Sequence, residues 1–225
     1  MFVDVNDPGN PRVISTLTYN PGLYDIALNG SYAYAAASNS VQIVNLTNPY
    51  NPQIAGSLAA SGPLSNLVVQ DGKLFFAEKS NKILKIYSLA NPLAPALLGS
   101  TTVDFQSAYL TANGVAVDNQ YVLVHSGSSV AVVNAQNPSS PTQAAFFDNV
   151  ASDSGNMVVA GQQVFLGGNS GNVYAVDLSN PLNPLVSERA DLTAWSAFGG
   201  AASSDRLYLA ADDFLSLRTF DPVYD

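Results

Sequence analysis

Val41-Gln42-Ile43-Val44-Asn45-Leu46-Thr47-Asn48-Pro49-Tyr50-Asn51-Pro52 is the stretch on which the fold turns. It runs an apolar strand into Asn-Pro-x-x-Pro. Proline presets φ for a turn, cannot sit inside a central strand, and pushes the residue before it toward extended backbone. An Asn or Asp at that point accepts a hydrogen bond from the backbone two residues on. The stretch therefore ends one strand, turns, and starts another.

The same anchor recurs along the chain. It stands as Asp7-Pro8-Gly9-Asn10-Pro11, Asn91-Pro92-Leu93-Ala94-Pro95, Asn137-Pro138-Ser139-Ser140-Pro141 and Asn180-Pro181-Leu182-Asn183-Pro184, with a partial copy at Asp221-Pro222. Successive first prolines lie 41, 43, 46, 43 and 41 residues apart. Between anchors four short runs keep one order. The run before the turn (strand c) recurs as Leu84-Lys85-Ile86-Tyr87-Ser88, Val130-Ala131-Val132-Val133-Asn134 and Val173-Tyr174-Ala175-Val176-Asp177. The run after it (strand d) recurs as residues 53–58 and 95–100. Then comes a short apolar strand a, such as Ile26-Ala27-Leu28 or Val115-Ala116-Val117. A tight polar turn leads to strand b, such as Tyr32-Ala33-Tyr34-Ala35 or Tyr121-Val122-Leu123-Val124.

Short β-rich runs separated by turn signals predict an all-β protein, and no stretch shows the spacing of a helix. Four strands in about 40–45 residues is the period of a β-propeller blade, with strand a innermost and strand d outermost. A sandwich also supplies many short strands, but it does not explain a fixed period. The expected architecture is one domain over residues 1–225, a propeller of five four-stranded blades. Residues 2–5 and 215–220 both qualify as strand c, so the chain starts and ends in the same phase. Closure at five would bring residues 12–18 beside residues 215–220 as the outer strand of the last blade. The competing reading is five repeats cut from a longer array. Closure is the expected outcome, because an open arc exposes two large apolar faces.

Composition narrows function by exclusion. Eight Lys+Arg against 17 Asp+Glu leave a net charge of −9, which excludes a basic surface that tracks nucleic-acid phosphates. With no Cys there are no disulfides, zinc–thiolate sites or cysteine nucleophiles. The one histidine, His125, argues against a His-based metal site or a serine–histidine triad. Charged residues are 11% of the chain, where about 25% is usual. Hydrophobic residues at 47% still provide a core. No apolar run reaches the ~18 residues of a membrane helix, and the first residues do not read as a signal peptide.

The stretches 41–52 and Val173-Tyr174-Ala175-Val176-Asp177-Leu178-Ser179-Asn180-Pro181-Leu182-Asn183-Pro184, with Asn29-Gly30-Ser31-Tyr32-Ala33-Tyr34, resemble the LVIVD repeat of bacterial and archaeal proteins. In weaker form the resemblance covers essentially the whole chain. It implies a β-propeller in a secreted or surface-exposed protein, usually longer than this one, with no catalytic residue or cofactor to carry over. Ser88 and Arg218 stand where Asp or Asn is usual, and residues 103–112 carry an insertion of about three.

In a propeller the d–a and b–c loops share one face. The d–a loops hold Tyr19, Asn20, Asp104, Phe105, Asp153 and Trp195. The b–c loops hold Glu78, Lys79, His125, Asn169, Asp212 and Asp213. The position just before strand a reads Asp25, Asn66, Gly114, Asn156 and Gly199, small and amide residues suited to a polar channel. Binding-face candidates are Tyr19, Asp25, Asn66, Phe105, Asn156 and Trp195. Hydrolysis of a glycan needs two carboxylates about 5–9.5 Å apart, for which Asp25, Asp153 and Glu78 are the candidates. Their alternative role is to cap loops by bonding to backbone. His125 is expected at the solvent edge of its strand. Gly167-Gly168-Asn169-Ser170-Gly171-Asn172 joins two strands and opens no helix, so it is no phosphate cradle. Asp212-Asp213 supplies too few oxygens for Ca²⁺, which takes about six. Trp195 is either core or an exposed stacking residue.

The expected function is a non-enzymatic scaffold or binding module at a prokaryotic cell surface. It would bind a protein or glycan through the loop face, as a monomer, without cofactor, metal or nucleic acid and without insertion into a membrane. A glycan hydrolase with carboxylates at the channel is the alternative, and an intracellular protein–protein platform is a further one.

Overall fold

The computed structural model describes residues 1–19, 22–107, 110–148, 157–167, 172–191, 197–202, 207–211 and 217–220. Among these every regular element is a strand. A two-stranded ribbon comes first, β1 (Phe2–Asp4) with β2 (Arg12–Ser15). Blade 1 is β3 (Asp25–Asn29), β4 (Tyr32–Ala37), β5 (Ser40–Asn45) and β6 (Gln53–Ala59). Blade 2 is β7 (Val68–Gln70), β8 (Lys73–Glu78), β9 (Ile83–Ser88) and β10 (Ala96–Thr102). Blade 3 is β11 (Gly114–Asp118), β12 (Tyr121–Ser126), β13 (Ser129–Asn134) and β14 (Thr142–Phe147). Blade 4 is β15 (Met157–Ala160), β16 (Gln163–Gly167), β17 (Asn172–Asp177) and β18 (Leu185–Asp191). Blade 5 shows three strands among the described residues, β19 (Ala197–Ala202), β20 (Leu207–Ala211) and β21 (Leu217–Phe220). Each blade is an antiparallel meander in chain order, as the repeat predicts.

The anchor works as its chemistry requires. Asp7, Asn48, Asn91 and Asn137 each accept a hydrogen bond from the N–H two residues on, at 3.1–3.2 Å. The same residues accept again through their carbonyls from the residue three on. A second such turn closes strand c three residues earlier. There Asp4, Asn45, Asn134 and Asp177 accept from the N–H two residues on at 2.7–3.0 Å. Ser88, the departure in blade 2, makes the same bond with its shorter hydroxyl at 3.3 Å. At the inner hairpin of blade 2, Asp71 and Gly72 both take positive φ, 49° and 65°. That is the backbone of a type I′ turn, whose twist matches the strands it joins.

The core lies between blades. Tyr34 and Ile43 of blade 1 meet Leu64, Leu74 and Phe76 of blade 2, and Phe76 stacks on Tyr87 at 5.7 Å. Phe75 and Ile86 meet Val115, Val117 and Val124 of blade 3. Leu123 and Val132 meet Leu166 and Val176 of blade 4, and Val158 and Phe165 meet Ala202 of blade 5. Side chains alternate across a strand. One set of each blade therefore faces the blade before it and the other set faces the blade after it.

The ring is not closed by sheet pairing of the chain's first and last strands. β2 pairs with β1, and β20 is the strand paired with β21. The Asp4 and Asp7 turns fold β1 and β2 into a hairpin of their own, and the Arg12 guanidinium meets the Asp4 carboxylate at 3.1 Å across it. His125 is not at a solvent edge. It is fully buried on β12, in register with Gly114 of β11.

Candidate functional site

The position before each inner strand was expected to line a channel. In the first two blades it instead ties one blade to the next. Asp25 opens β3, and one of its carboxylate oxygens accepts from the Leu67 N–H of blade 2 at 2.5 Å. Asn66, at the matching position of blade 2, reaches Val115 at the start of β11. Its amide oxygen accepts from the Val115 N–H at 2.7 Å, and its amide nitrogen donates to the Val115 carbonyl at 2.9 Å. Inner strands of neighbouring blades converge without pairing, so their first backbone groups have no ladder partner. A short polar side chain supplies one, and buried backbone groups need such a partner. Gly114 of blade 3 has no side chain to continue the series.

Tyr24 adds to this tie. Its hydroxyl donates to the Ala37 carbonyl at 2.7 Å and accepts from the Leu64 N–H at 3.0 Å. Burial of that hydroxyl, with the charge of Asp25 beside it, holds its pKa above the ordinary tyrosine value.

Glu78, the third candidate carboxylate, closes β8 and is buried. One oxygen accepts from the Lys85 ammonium at 2.6 Å and from the Ser61 N–H at 3.0 Å. Burial pushes its pKa up. Lys85, the Ser61 backbone and the Asn81 amide outweigh that effect and hold it below the ordinary carboxylate value. Asp25 and Glu78 therefore have donors of their own, in two different blades.

Phe105, one of the binding-face candidates, is buried. Val103, Phe105 and Ala112, within the insertion at 103–112, lie in the core between blades 2 and 3. Gln143 of blade 3 bonds to the backbone beside Phe105. Its amide donates to the Asp104 carbonyl at 2.9 Å and accepts from the Asp104 N–H at 2.8 Å. Tyr19 is half-buried on its d–a loop. Asp153, Asn156 and Trp195 lie outside the described residues, as do Asp212 and Asp213. Among the described residues no three His, Cys, Asp or Glu side chains gather to hold a metal ion, and no helix is long and apolar enough to cross a membrane.

Sequence reasoning missed Tyr24, Lys85 and Gln143. Lys85 had a signal: it sits on the strand beside Glu78 and projects to the same face of the hairpin, so a cross-strand ion pair was readable. Tyr24 and Gln143 act across blade interfaces, to partners about forty residues away, and no local pattern marks them.

No family model matches the chain, and no curated protein does either. Solved structures share the fold. A protein from Lactobacillus plantarum superposes with a TM-score of 0.71 at 15% identity, over 92% of this chain and 69% of its own. A protein of unknown function from Desulfotomaculum acetoxidans gives 0.67 at 13% identity, over 91% and 67%. A computationally designed protein gives 0.64 at 12% identity, over 87% of this chain. The chain spans 57% of the length of that designed protein.

Proposed function

We propose that the chain is a five-bladed β-propeller module of the LVIVD-repeat kind. It serves a secreted or cell-surface prokaryotic protein as a non-enzymatic scaffold, and binds a protein or glycan through the face formed by its d–a and b–c loops. The observation that carries the reading is the engagement of the candidate carboxylates. Asp25 is bonded to the Leu67 N–H, and Glu78 to Lys85 and Ser61. A general acid and a general base each need to reach substrate, and both groups are turned to holding the fold. The low content of charged side chains also suits an adhesive surface rich in Asn, Ser, Thr and Tyr.

The test has two arms. The purified chain and Asp25→Asn/Asp153→Asn are incubated with a panel of glycosides, and both are probed on a glycan array. Absence of turnover by either, with equal array binding that Tyr19→Ala/Trp195→Ala removes, is the expected result. Turnover that disappears in the double Asp variant would overturn the reading.

A further inference from the structure

Two Asn-Gly pairs occur in the chain, Asn29-Gly30 and Asn113-Gly114, and the fold places them differently. In such a pair the glycine N–H attacks the preceding side-chain amide most readily, because no Cβ crowds the approach and the backbone turns freely. Asn29 ends β3 and pairs with Tyr32, which leaves Gly30 and Ser31 as the turn, outside the ladder. Gly30 is exposed with a φ of 57°, and beyond its chain neighbours nothing lies within 4 Å of the place a Cβ would take. Among the described residues no hydrogen bond engages its N–H. Exposure belongs to this turn in each blade. Asp71 and Gly72 in blade 2, and Asn119 and Gln120 in blade 3, hold the same place and are exposed as well.

Asn113 is held instead. Its N–H donates to the His125 carbonyl at 2.8 Å, and its amide oxygen accepts from the Thr111 hydroxyl at 2.8 Å. Gly114 after it is buried, opens β11 and stands opposite His125 in the ladder. Ring closure requires the Asn side chain to swing onto the next N–H. At Asn113 that swing must break these bonds and open a buried strand, whereas at Asn29 it needs only a change in an exposed turn.

We propose that Asn29-Gly30 is a site of covalent modification by deamidation, which marks the age of the chain and loosens blade 1. The Gly30 nitrogen bonds to the Asn29 side-chain carbonyl carbon and gives up its proton, and the amide nitrogen leaves as ammonia. Water then opens the imide ring at either of its carbonyls. The product is an aspartyl residue or an isoaspartyl linkage, and each carries a new carboxylate. The isoaspartyl form also lengthens the main chain by one methylene at the last ladder pair of β3 and β4. Asn29 shares a face of this hairpin with Tyr34, whose hydroxyl lies beside the Asn29 amide and donates to the Pro92 carbonyl of blade 2 at 3.0 Å. The new charge therefore falls beside a contact that ties blade 1 to blade 2. This proposal is independent of the loop-face reading, because the turn between strands a and b lies at the opposite end of those strands from the d–a and b–c loops.

The test holds the purified 225-residue chain in mildly alkaline buffer, with free peptides of residues 25–34 and 111–118 as references. Peptide mapping by mass spectrometry follows each amide. Asn29 in the chain is expected to react within about tenfold of the rate in its peptide, and Asn113 at least about tenfold more slowly than in its own. The aged chain should carry one negative charge beyond −9 on ion exchange and melt at a lower temperature than the fresh chain. Asn29→Gln, whose longer side chain closes the ring poorly, should keep its starting charge and melting temperature over the same interval. Equal loss at both sites of the chain, or an Asn29 amide that persists while its peptide loses its own, overturns the assignment. An aged chain that melts like the fresh one overturns the loosening of blade 1.

Discussion

Asn66 and Val115 hold each other by two hydrogen bonds across a blade boundary, the amide of one matching the N–H and carbonyl of the other at 2.7 and 2.9 Å. This is one rung of a β-ladder made with a side chain. Asn66→Ala leaves both Val115 groups without a partner and should cost about 1–3 kcal/mol in urea unfolding. Asn66→Asp keeps the acceptor, loses the donor and sets a charge beside the Val115 carbonyl. It should therefore not rescue the stability lost in Asn66→Ala.

Gly99 and Gly56 occupy the same place in successive blades, yet they should respond differently to alanine. A methyl group at Gly99 would overlap the Pro138 carbonyl, whereas one at Gly56 meets the Leu93 carbonyl at ordinary contact distance. Gly99→Ala should destabilise by about 1–3 kcal/mol. Gly56→Ala should stay within about 1 kcal/mol of the parent, since it also stiffens the unfolded chain. Denaturant midpoints of the two variants check the contrast.

Ser88 makes the strand-closing turn of blade 2 with a bond of 3.3 Å, where Asn45 and Asp177 make it at 2.9 and 2.7 Å. Ser88→Asn restores the longer side chain. It should stabilise by up to about 0.5 kcal/mol, read as a small rise in thermal midpoint.

Glu78 sets an acid-side dependence. Its folded carboxyl lies below the ordinary value of 4.5, with burial opposed and outweighed by Lys85, Ser61 and Asn81. The folded state thus holds this proton less tightly than the unfolded chain does. The stabilisation is present above the ordinary carboxylate range and is lost as pH falls through and below it. Glu78→Gln should show a shallower loss of stability between neutral pH and pH 3, measured by urea midpoints against pH. An unchanged slope would remove the Lys85 pair as its cause.

The repeat was legible because it is local chemistry. Asn48 and Asn45 bond to N–H groups two residues away, so a window of a few residues determines the turn and the period follows from recurrence. What the sequence did not disclose lies across blade boundaries. Asp25 and Asn66 read as channel-lining groups because their partners, Leu67 and Val115, stand 42 and 49 residues on. Phe105 read as a loop aromatic because nothing local shows that it lies in the core between blades 2 and 3. Closure failed as an expectation for a related reason. The turns at Asp4 and Asp7 give β2 a neighbour in sequence, and local pairing costs less loop entropy than pairing with β21 about two hundred residues away.

Asp25 and Asn66 each tie their blade to the next at the start of its inner strand, and amide hydrogen exchange at Leu67 and Val115 tests this most directly. Both amides should exchange slowly in the parent chain. Asp25→Ala should speed exchange at Leu67 and leave Val115 protected, while Asn66→Ala should do the reverse. Fast exchange at both amides in the parent, or variants that leave both protected, would contradict the account.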